Sequence, residues 1–302
     1  MLRQRGTTMV EQVGAVAALW RFPVKSMLGE ELDAAEVSSS GLAGDRAYAL
    51  IDATTGKVVS AKNPRLWPNV LGCRARFLES PRAGEDPPPV RITLPDSTSV
   101  TSDESGADTV LSDFFGRKVR LARAAPADFT IDQYHPDVDG LDPAGHRDTI
   151  VEARIGSAFF AEVGRPAPVP DGSFFDLFPL SVLTTSTLER VRELAPQSRV
   201  DERRFRMNVI VATTGWGFVE NSWLDHRLVI SDVEIDVRLP DPRCVMTTLA
   251  QEGLPHDTNV LRTLVRHNRI GVGGDGLFPC AGVYAVVASP GLIRRGDQAV
   301  LH

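Results

Sequence analysis

The sequence predicts an α+β fold dominated by strands. Three observations carry that expectation. Apolar runs are short, and several alternate at period two. Turn residues recur about every ten positions, with 25 glycines and 21 prolines in 302 residues. Apolar stripes at helical spacing occur, but they are few. Closely spaced short strands with turns between them suit a barrel or a sandwich.

In chain order, the first strand is expected at 13–22, where apolar residues run almost unbroken. The segment Met1–Met9 before it carries Arg3 and Arg5 but reads poorly as a secretory leader. Residues 47–52 and 57–61 flank Ala53-Thr54-Thr55-Gly56, a hairpin in which Gly56 supplies a positive φ. Residues 70–78 form a strand with Leu71, Cys73, Ala75 and Phe77 on one face. The stretch 80–89, rich in proline and acidic residues, is a loop inside the same β region. Strands at 90–94 and 97–101 turn about Pro95-Asp96. A short helix at 107–115 ends at Gly116, and 124–170 reads as an irregular crossing segment. The second half holds a helix at 182–194, with Leu183, Leu188, Val191 and Leu194 as its stripe and Pro196 beyond it. Strands follow at 207–212, 228–230, 233–239 and 245–249. A helix begins near Asp257 or Thr258 and carries Val260, Leu261, Leu264 and Val265. A buried strand at 283–288, a turn at Pro290-Gly291 and a last strand after Gly296-Asp297 complete the chain.

Composition excludes several functions. Lys plus Arg is 33 against 39 Asp plus Glu, a net charge of −6, so a nucleic-acid partner is not expected. No apolar run reaches the length of a membrane span, so no membrane partner is expected either. Cys73, Cys244 and Cys280 have no paired spacing, which argues against a disulfide framework and for a reducing, cytoplasmic location. Six scattered histidines give no H-x-x-x-H, and no C-x-x-C is present, so zinc chemistry is poorly supported. Gly271-Val272-Gly273-Gly274-Asp275-Gly276 matches a dinucleotide pattern, but a helix precedes it and a strand follows, the reverse of what that site needs. Asp137-Val138-Asp139-Gly140-Leu141-Asp142 clusters carboxylates without the register of a calcium loop. No nucleophile elbow or Walker loop occurs.

The cysteines differ in setting. Cys73 lies on an apolar strand face and Cys280 just before a buried strand, both structural positions. Cys244 sits in Pro240-Asp241-Pro242-Arg243-Cys244, where two prolines interrupt regular pairing and an adjacent cation favours thiolate. Its role is open between chemistry and packing. Lys25-Ser26 sets an ammonium beside a hydroxyl, and Gly44-Asp45-Arg46 puts an arginine after a glycine turn. With backbone N–H groups, such residues hold phosphate. Taken singly, each is more often a solvated surface charge.

Taken together, these pieces resemble one family. Pro23-Val24-Lys25-Ser26, Gly44-Asp45-Arg46, Phe205-Arg206-Met207-Asn208, Arg243-Cys244-x-x-Thr247-Thr248 and Gly291-x-Ile293-x-x-Gly296-Asp297 follow in that order. The chain resembles the MOSC family, named for the molybdenum cofactor sulfurase C-terminal domain, preceded by that family's N-terminal β-barrel region. The similarity is to the branch that includes the mitochondrial amidoxime reducing component and its bacterial counterparts.

The resemblance implies an N-terminal β-barrel-like region at 10–125 packed with a MOSC β-barrel domain at 126–302. It implies molybdenum cofactor between them. Cys244 matches the family's metal-ligating cysteine. Lys25, Ser26 and Arg46 match positions holding the cofactor's anionic end, and Arg206, Asn208 and Arg243 match further pocket residues. Thr184, Thr185 and Ser186 match less closely, as an anion site at a helix start. The implied reaction is reduction of N-hydroxylated or N-oxidised small molecules. Three scattered cysteines build no iron–sulfur cluster by the usual scheme, so electrons are expected from a separate ferredoxin, flavodoxin, or cytochrome with its reductase. Alternatives are a sulfur carrier holding a persulfide on Cys244, a cofactor-delivery or storage protein, and a barrel in which Cys244 is structural. Bound metal separates the reductase from the persulfide carrier, and reductase activity separates it from a storage protein.

Overall fold

The computed structural model describes residues 11–274 and 276–302. The segment Met1–Met9 and Asp275 of the glycine loop lie outside the described residues. The first half runs β1 (Glu11–Arg21), β2 (Glu30–Leu32), β3 (Ala34–Ser38), β4 (Gly41–Leu42), β5 (Ala49–Asp52), β6 (Arg74–Phe77), β7 (Val90–Thr93), β8 (Ser99–Thr101), α1 (Ala107–Phe115) and β9 (Val119–Ala122). A crossing segment holds β10 (Thr130–His135), β11 (Thr149–Arg154) and α2 (Gly156–Glu162). The second half runs β12 (Leu180–Thr184), α3 (Thr185–Leu194), β13 (Val209–Ala212), β14 (Arg227–Ile230), β15 (Val233–Pro242), α4 (Asn259–His267), β16 (Arg269–Gly271), β17 (Leu277–Ser289), β18 (Gly291–Arg294) and β19 (Gln298–Leu301).

Seven strands close a barrel in the order β12, β13, β1, β19, β14, β15, β17 and back to β12. Only β12 and β13 pair in parallel within it; the other pairings are antiparallel. Closure leaves the barrel without a free edge. Val182, Val209, Val211, Leu228, Ile230, Ile235, Val237 and Val283 fill a common core with no exposed surface. Each such side chain contributes about 1.5–3 kcal/mol by burial. Leu188 and Val191 of α3 pack with Val260 and Leu264 of α4 over Ile210 and Ala281. Register shifts between Val16 and Ala18, so β1 serves two cores, with Val16 in the barrel and Ala18 under the helices.

The N-terminal region is built from smaller sheets, β5–β9 and β6–β7–β8, around Met27, Tyr48, Leu50, Trp67, Ile92 and Leu111. The β-rich α+β class therefore holds. The expected seam at 125/126 is not a seam in the hydrogen bonding: β1 is a stave of the C-terminal barrel, and β3 pairs with β18. Among the described residues, no helix is long and apolar enough to cross a membrane.

Several elements depart from expectation. Residues 57–61 contribute one bridge, Ile51 to Val58, because β9 takes the edge of β5. The strand at 70–78 opens with a 3-10 turn at Val70–Gly72. The crossing segment is not irregular: β10 and β11 form a six-pair hairpin. Residues 182–184 end a strand, not a helix, since a strand buried on both faces reads as a continuous apolar run. Residues 245–248 form a 3-10 turn rather than a strand. Val245, Met246 and Leu249 there plug into the N-terminal core instead of joining a ladder.

Candidate functional site

A cavity of about 630 Å³ opens where the loops at one end of the barrel meet the N-terminal region and the β10–β11 hairpin. Lys25, Ser26, Arg46, Arg206, Asn208, Arg243 and Cys244 all line it. The chain reaches Lys25 by leaving β1 at Arg21; Lys25 N then donates to Tyr48 O at 2.8 Å. Ser26, Arg46 and Arg206 adopt left-handed backbone, with φ of 68°, 49° and 56°. Such conformations cost non-glycine residues on the order of 1 kcal/mol or more and cluster where side chains must be aimed.

Two lysines share one carboxylate. Lys25 Nζ pairs with Asp176 and donates to Phe174 O at 2.9 Å, and Lys62 Nζ meets the other Asp176 oxygen at 3.0 Å. Burial pushes the Lys25 ammonium down to about 8 despite that partner, with the charge of Lys62 adding to the fall. Burial also opposes the Lys62 charge, but Asp176, the Cys244 sulfur and Asp241 outweigh it and raise its pKa. Burial alone would raise the Asp176 carboxyl; Lys25 and Lys62 instead hold it well below the usual carboxylate range.

Arginines form the next layer. Arg46 pairs with Asp45, donates to Arg206 O at 3.1 Å and stacks on Phe22. Arg206 stacks on the same ring, 4.2 Å from its centroid, and donates to Met27 O at 2.7 Å. Burial, then the neighbouring Arg46, push the Arg206 guanidinium down to about 9. Asn208 donates to Asp45 Oδ2 at 2.9 Å, and its Oδ1 accepts from Ser181 Oγ at 3.0 Å. Asn208 thus orients the carboxylate that holds Arg46.

Cys244 lines the cavity too, within reach of the Lys62 charge. β15 ends at Pro242, Arg243 N donates to Pro279 O at 2.7 Å, and Cys244 caps the 3-10 turn that follows. Its carbonyl accepts from Thr247 Oγ1 at 3.0 Å. Fully buried Arg204 donates to the carbonyls of Thr247, Leu249 and Pro255, pinning the turn from behind. Cys244 is partly exposed, whereas Cys73 and Cys280 are buried, and burial pushes both of those thiols up to about 12. Arg243 pairs with Asp241 at 2.6 Å and donates to Phe205 O, also at 2.6 Å, while its buried Nε has no partner. Burial opposes the Arg243 charge, but Asp241 outweighs it and keeps the guanidinium protonated. Burial pushes the Asp241 carboxyl up to about 6, and burial with Asp241 raises the Tyr284 hydroxyl well above its ordinary value.

Three expected site residues lie elsewhere. Thr184, Thr185 and Ser186 do not line the cavity. Thr184 Oγ1 accepts from Thr187 N at 3.1 Å and donates to buried Glu220 at 2.7 Å. Ser186 bonds to Thr213 and Gly215 O, and Thr185 Oγ1 accepts from Thr213 N. The protein's own carboxylate already occupies that helix start, so an anion has no place there.

The cavity also contains residues for which the sequence suggested no site role. Lys62, Asp176, Asp241 and Tyr284 line it, as do His135, Asp142 and His146. Asp241 was visible beside Arg243-Cys244, and Asp176 follows Phe174-Phe175, an aromatic run that signals burial. Lys62 gives no such signal. Burial lowers the His135 pKa although Asp142 lies beside it.

The MOSC N-terminal beta barrel domain family matches residues 13–114, and the MOSC domain family matches residues 171–300. The chain belongs to the MOSC family. Among curated relatives, the mitochondrial amidoxime-reducing component 1 of Mus musculus is 25% identical over 320 residues, covering 99% of this chain and 85% of that protein. Its Homo sapiens counterpart is also 25% identical, over 98% of this chain and 86% of that protein. Among solved structures, the YUAD protein from Bacillus subtilis aligns with a TM-score of 0.44 and 11% identity, over 97% of this chain and 98% of that one. Both MOSC segments contribute to the cavity wall, Lys25 and Arg46 from the first and Arg206, Arg243 and Cys244 from the second.

Proposed function

We propose that this MOSC protein is a molybdenum-cofactor-dependent oxidoreductase that reduces N-hydroxylated or N-oxidised compounds such as amidoximes, hydroxylamines and hydroxylated bases. The observation that carries the reading is Cys244, the one cysteine not buried, facing a cavity ringed by Lys25, Arg46, Arg206 and Arg243. Family membership and the names of the relatives support it.

The residues fit such a group. The cavity volume is in the range used by cofactors, about 300–1,000 Å³. The orphaned Nε of Arg243 is a buried donor awaiting an acceptor. A thiolate suits a metal already bound by sulfur. Cys244 would ligate molybdenum, and Lys25, Arg46 and Arg206 would hold the pterin phosphate, with Ser26 and Asn208 beside them. Once bound, the cofactor supplies two-electron chemistry, in which substrate oxygen leaves as water with two protons. Arg243, kept charged by Asp241, precedes Cys244 on the cavity wall. Tyr284, its hydroxyl kept protonated by burial and by Asp241, holds an exchangeable proton on the cavity wall. Arg46 and Arg206, stacked on Phe22, are fixed before any anion arrives, so little ordering entropy is lost on binding. Electrons come from a separate ferredoxin, flavodoxin, or cytochrome with its reductase.

The test is metal and pterin content after expression in a host that makes the cofactor. Wild type is expected to carry close to one molybdenum and one pterin per chain and to reduce an amidoxime with a chemical electron donor. Cys244→Ala is expected to lose the metal and the activity. A wild type with neither metal nor pterin overturns the proposal, and Cys244 is then assayed for persulfide.

A further inference from the structure

A second group of chemically able side chains faces the same cavity. His135 ends β10, and Asp142 and His146 lie in the loop between β10 and β11. One ligand atom from each lies within 4.8 Å of the others. His135 Nδ1 stands 2.7 Å from Asp142 Oδ2, and His146 Nδ1 stands 3.3 Å from Asp142 Oδ1. Despite the first distance, buried His135 Nδ1 and Asp142 Oδ2 make no hydrogen bond: they approach without the alignment one needs. A buried donor or acceptor left unpaired costs about 1–3 kcal/mol, so this arrangement calls for a third party.

The loop is built to hold its shape. Val138 and Leu141 are buried against Leu261 of α4. Arg147 clasps Asp137 at 2.7 Å and Asp139 at 3.5 Å. Gly145 N donates to the Asp142 backbone carbonyl at 3.2 Å, and His146 N donates to Asp142 Oδ1 at 3.3 Å, which steadies the carboxylate. His135 Nε2 lies 3.4 Å from the Gln133 amide. That contact is with the amide nitrogen; with the amide turned over, its oxygen accepts from Nε2–H and Nδ1 presents its lone pair, the arrangement that orients a ligating imidazole.

We propose that His135, Asp142 and His146 bind one divalent transition-metal cation, with an open coordination position on the cavity side. Zinc–nitrogen and zinc–oxygen bonds of about 2.0–2.2 Å put neighbouring ligand atoms about 3.0–3.5 Å apart, close to the spacing seen. Two imidazoles and one carboxylate suit zinc or iron(II), whereas magnesium and calcium prefer oxygen alone. Three protein ligands leave room for water, or for an oxygen or nitrogen atom of whatever molecule fills the cavity. The site is distinct from Cys244 and does not depend on the reductase reading.

The probe is Zn²⁺ alone, titrated by calorimetry into the chelator-treated full chain, with molybdenum content measured separately. Wild type is expected to bind one equivalent with micromolar or tighter affinity. His146→Ala and Asp142→Asn are each expected to weaken it at least tenfold, while Cys244→Ala leaves it unchanged and excess Mg²⁺ does not compete. His146 has a 37% exposed side chain, so its removal leaves the core intact, which circular dichroism checks. Three results overturn the proposal: no zinc binding by wild type, binding unchanged in both loop variants, or binding abolished by Cys244→Ala. The last would place the metal on the thiol.

Discussion

Asp241 and Arg243 sit one residue apart on the cavity wall, each under a tenth exposed, and their charges decide each other's fate. The Asp241 carboxyl titrates near 6 in the fold and near 4 in an unfolded chain. A raised carboxyl means the folded state holds the proton more tightly. Its contribution to stability is therefore full below about pH 4 and is lost as pH rises through 6. Asp176 has the opposite sign, its contribution being lost only as pH falls below about 4. Denaturant unfolding from pH 4 to 7 is expected to show wild type losing stability relative to Asp241→Asn as pH rises. Parallel curves would refute this. The sequence exposed the outer parts of this site. Lys25-Ser26, Arg46 and Arg243-Cys244 stood out as short motifs of cations, a hydroxyl and a thiol, whereas Arg206 and Asn208 were marked only by the resemblance to the MOSC family, which also drew the pieces together. Lys62 was not legible, because a lysine in a polar turn looks like any surface charge until Asp176 is folded against it. The triad of His135, Asp142 and His146 matches no familiar spacing: the histidines read as scattered, and Asp142 as part of a solvated carboxylate loop. Only the β10–β11 hairpin makes it a cluster.

At the scale of elements, the start of α3 teaches the converse lesson. A run of hydroxyl residues opening a helix suggested an anion site. The fold instead buries Glu220 there, accepting from Thr184, Thr187 and Gly282 N. Thr184→Ala is expected to remove a helix cap worth about 1 kcal/mol and a hydrogen bond to a carboxylate worth about 1.5–3 kcal/mol. The expected loss is about 2–4 kcal/mol by denaturant unfolding, with molybdenum content unchanged. A fall in cofactor content without loss of stability would restore the anion reading. Strand and helix types were legible in β7 and α4, where one face is wet and the alternation is apolar against polar, but not in β11, where the half-buried face carries Thr149, Val151 and Ala153 and the pattern is weak. They were misread where both faces are covered, as in β12. The 3-10 turn after Cys244 was also misread, because its apolar residues answer to a core contributed by distant chain.

For the whole molecule, the barrel rather than the sequence halves is the unit of stability. Residues 126–302 alone lack β1 and leave β13 and β19 with open edges, which invite aggregation. That fragment is expected to show no cooperative unfolding transition and to precipitate on concentration. A sharp, reversible transition in the fragment would show that β1 is dispensable. The need for β1 was not legible, since nothing local in 11–21 says which strands it joins. The pairing also has a consequence for biosynthesis. Glu11 lies opposite Leu301, so nearly all the described chain must be translated before that rung forms. At about 5–20 residues per second, β1 waits on the order of tens of seconds for its partner. During that interval the Arg46 and Cys244 walls have no completed frame between them. The ribosome's schedule thus makes any occupant of the cavity a late arrival, admitted only after the last strand is in place.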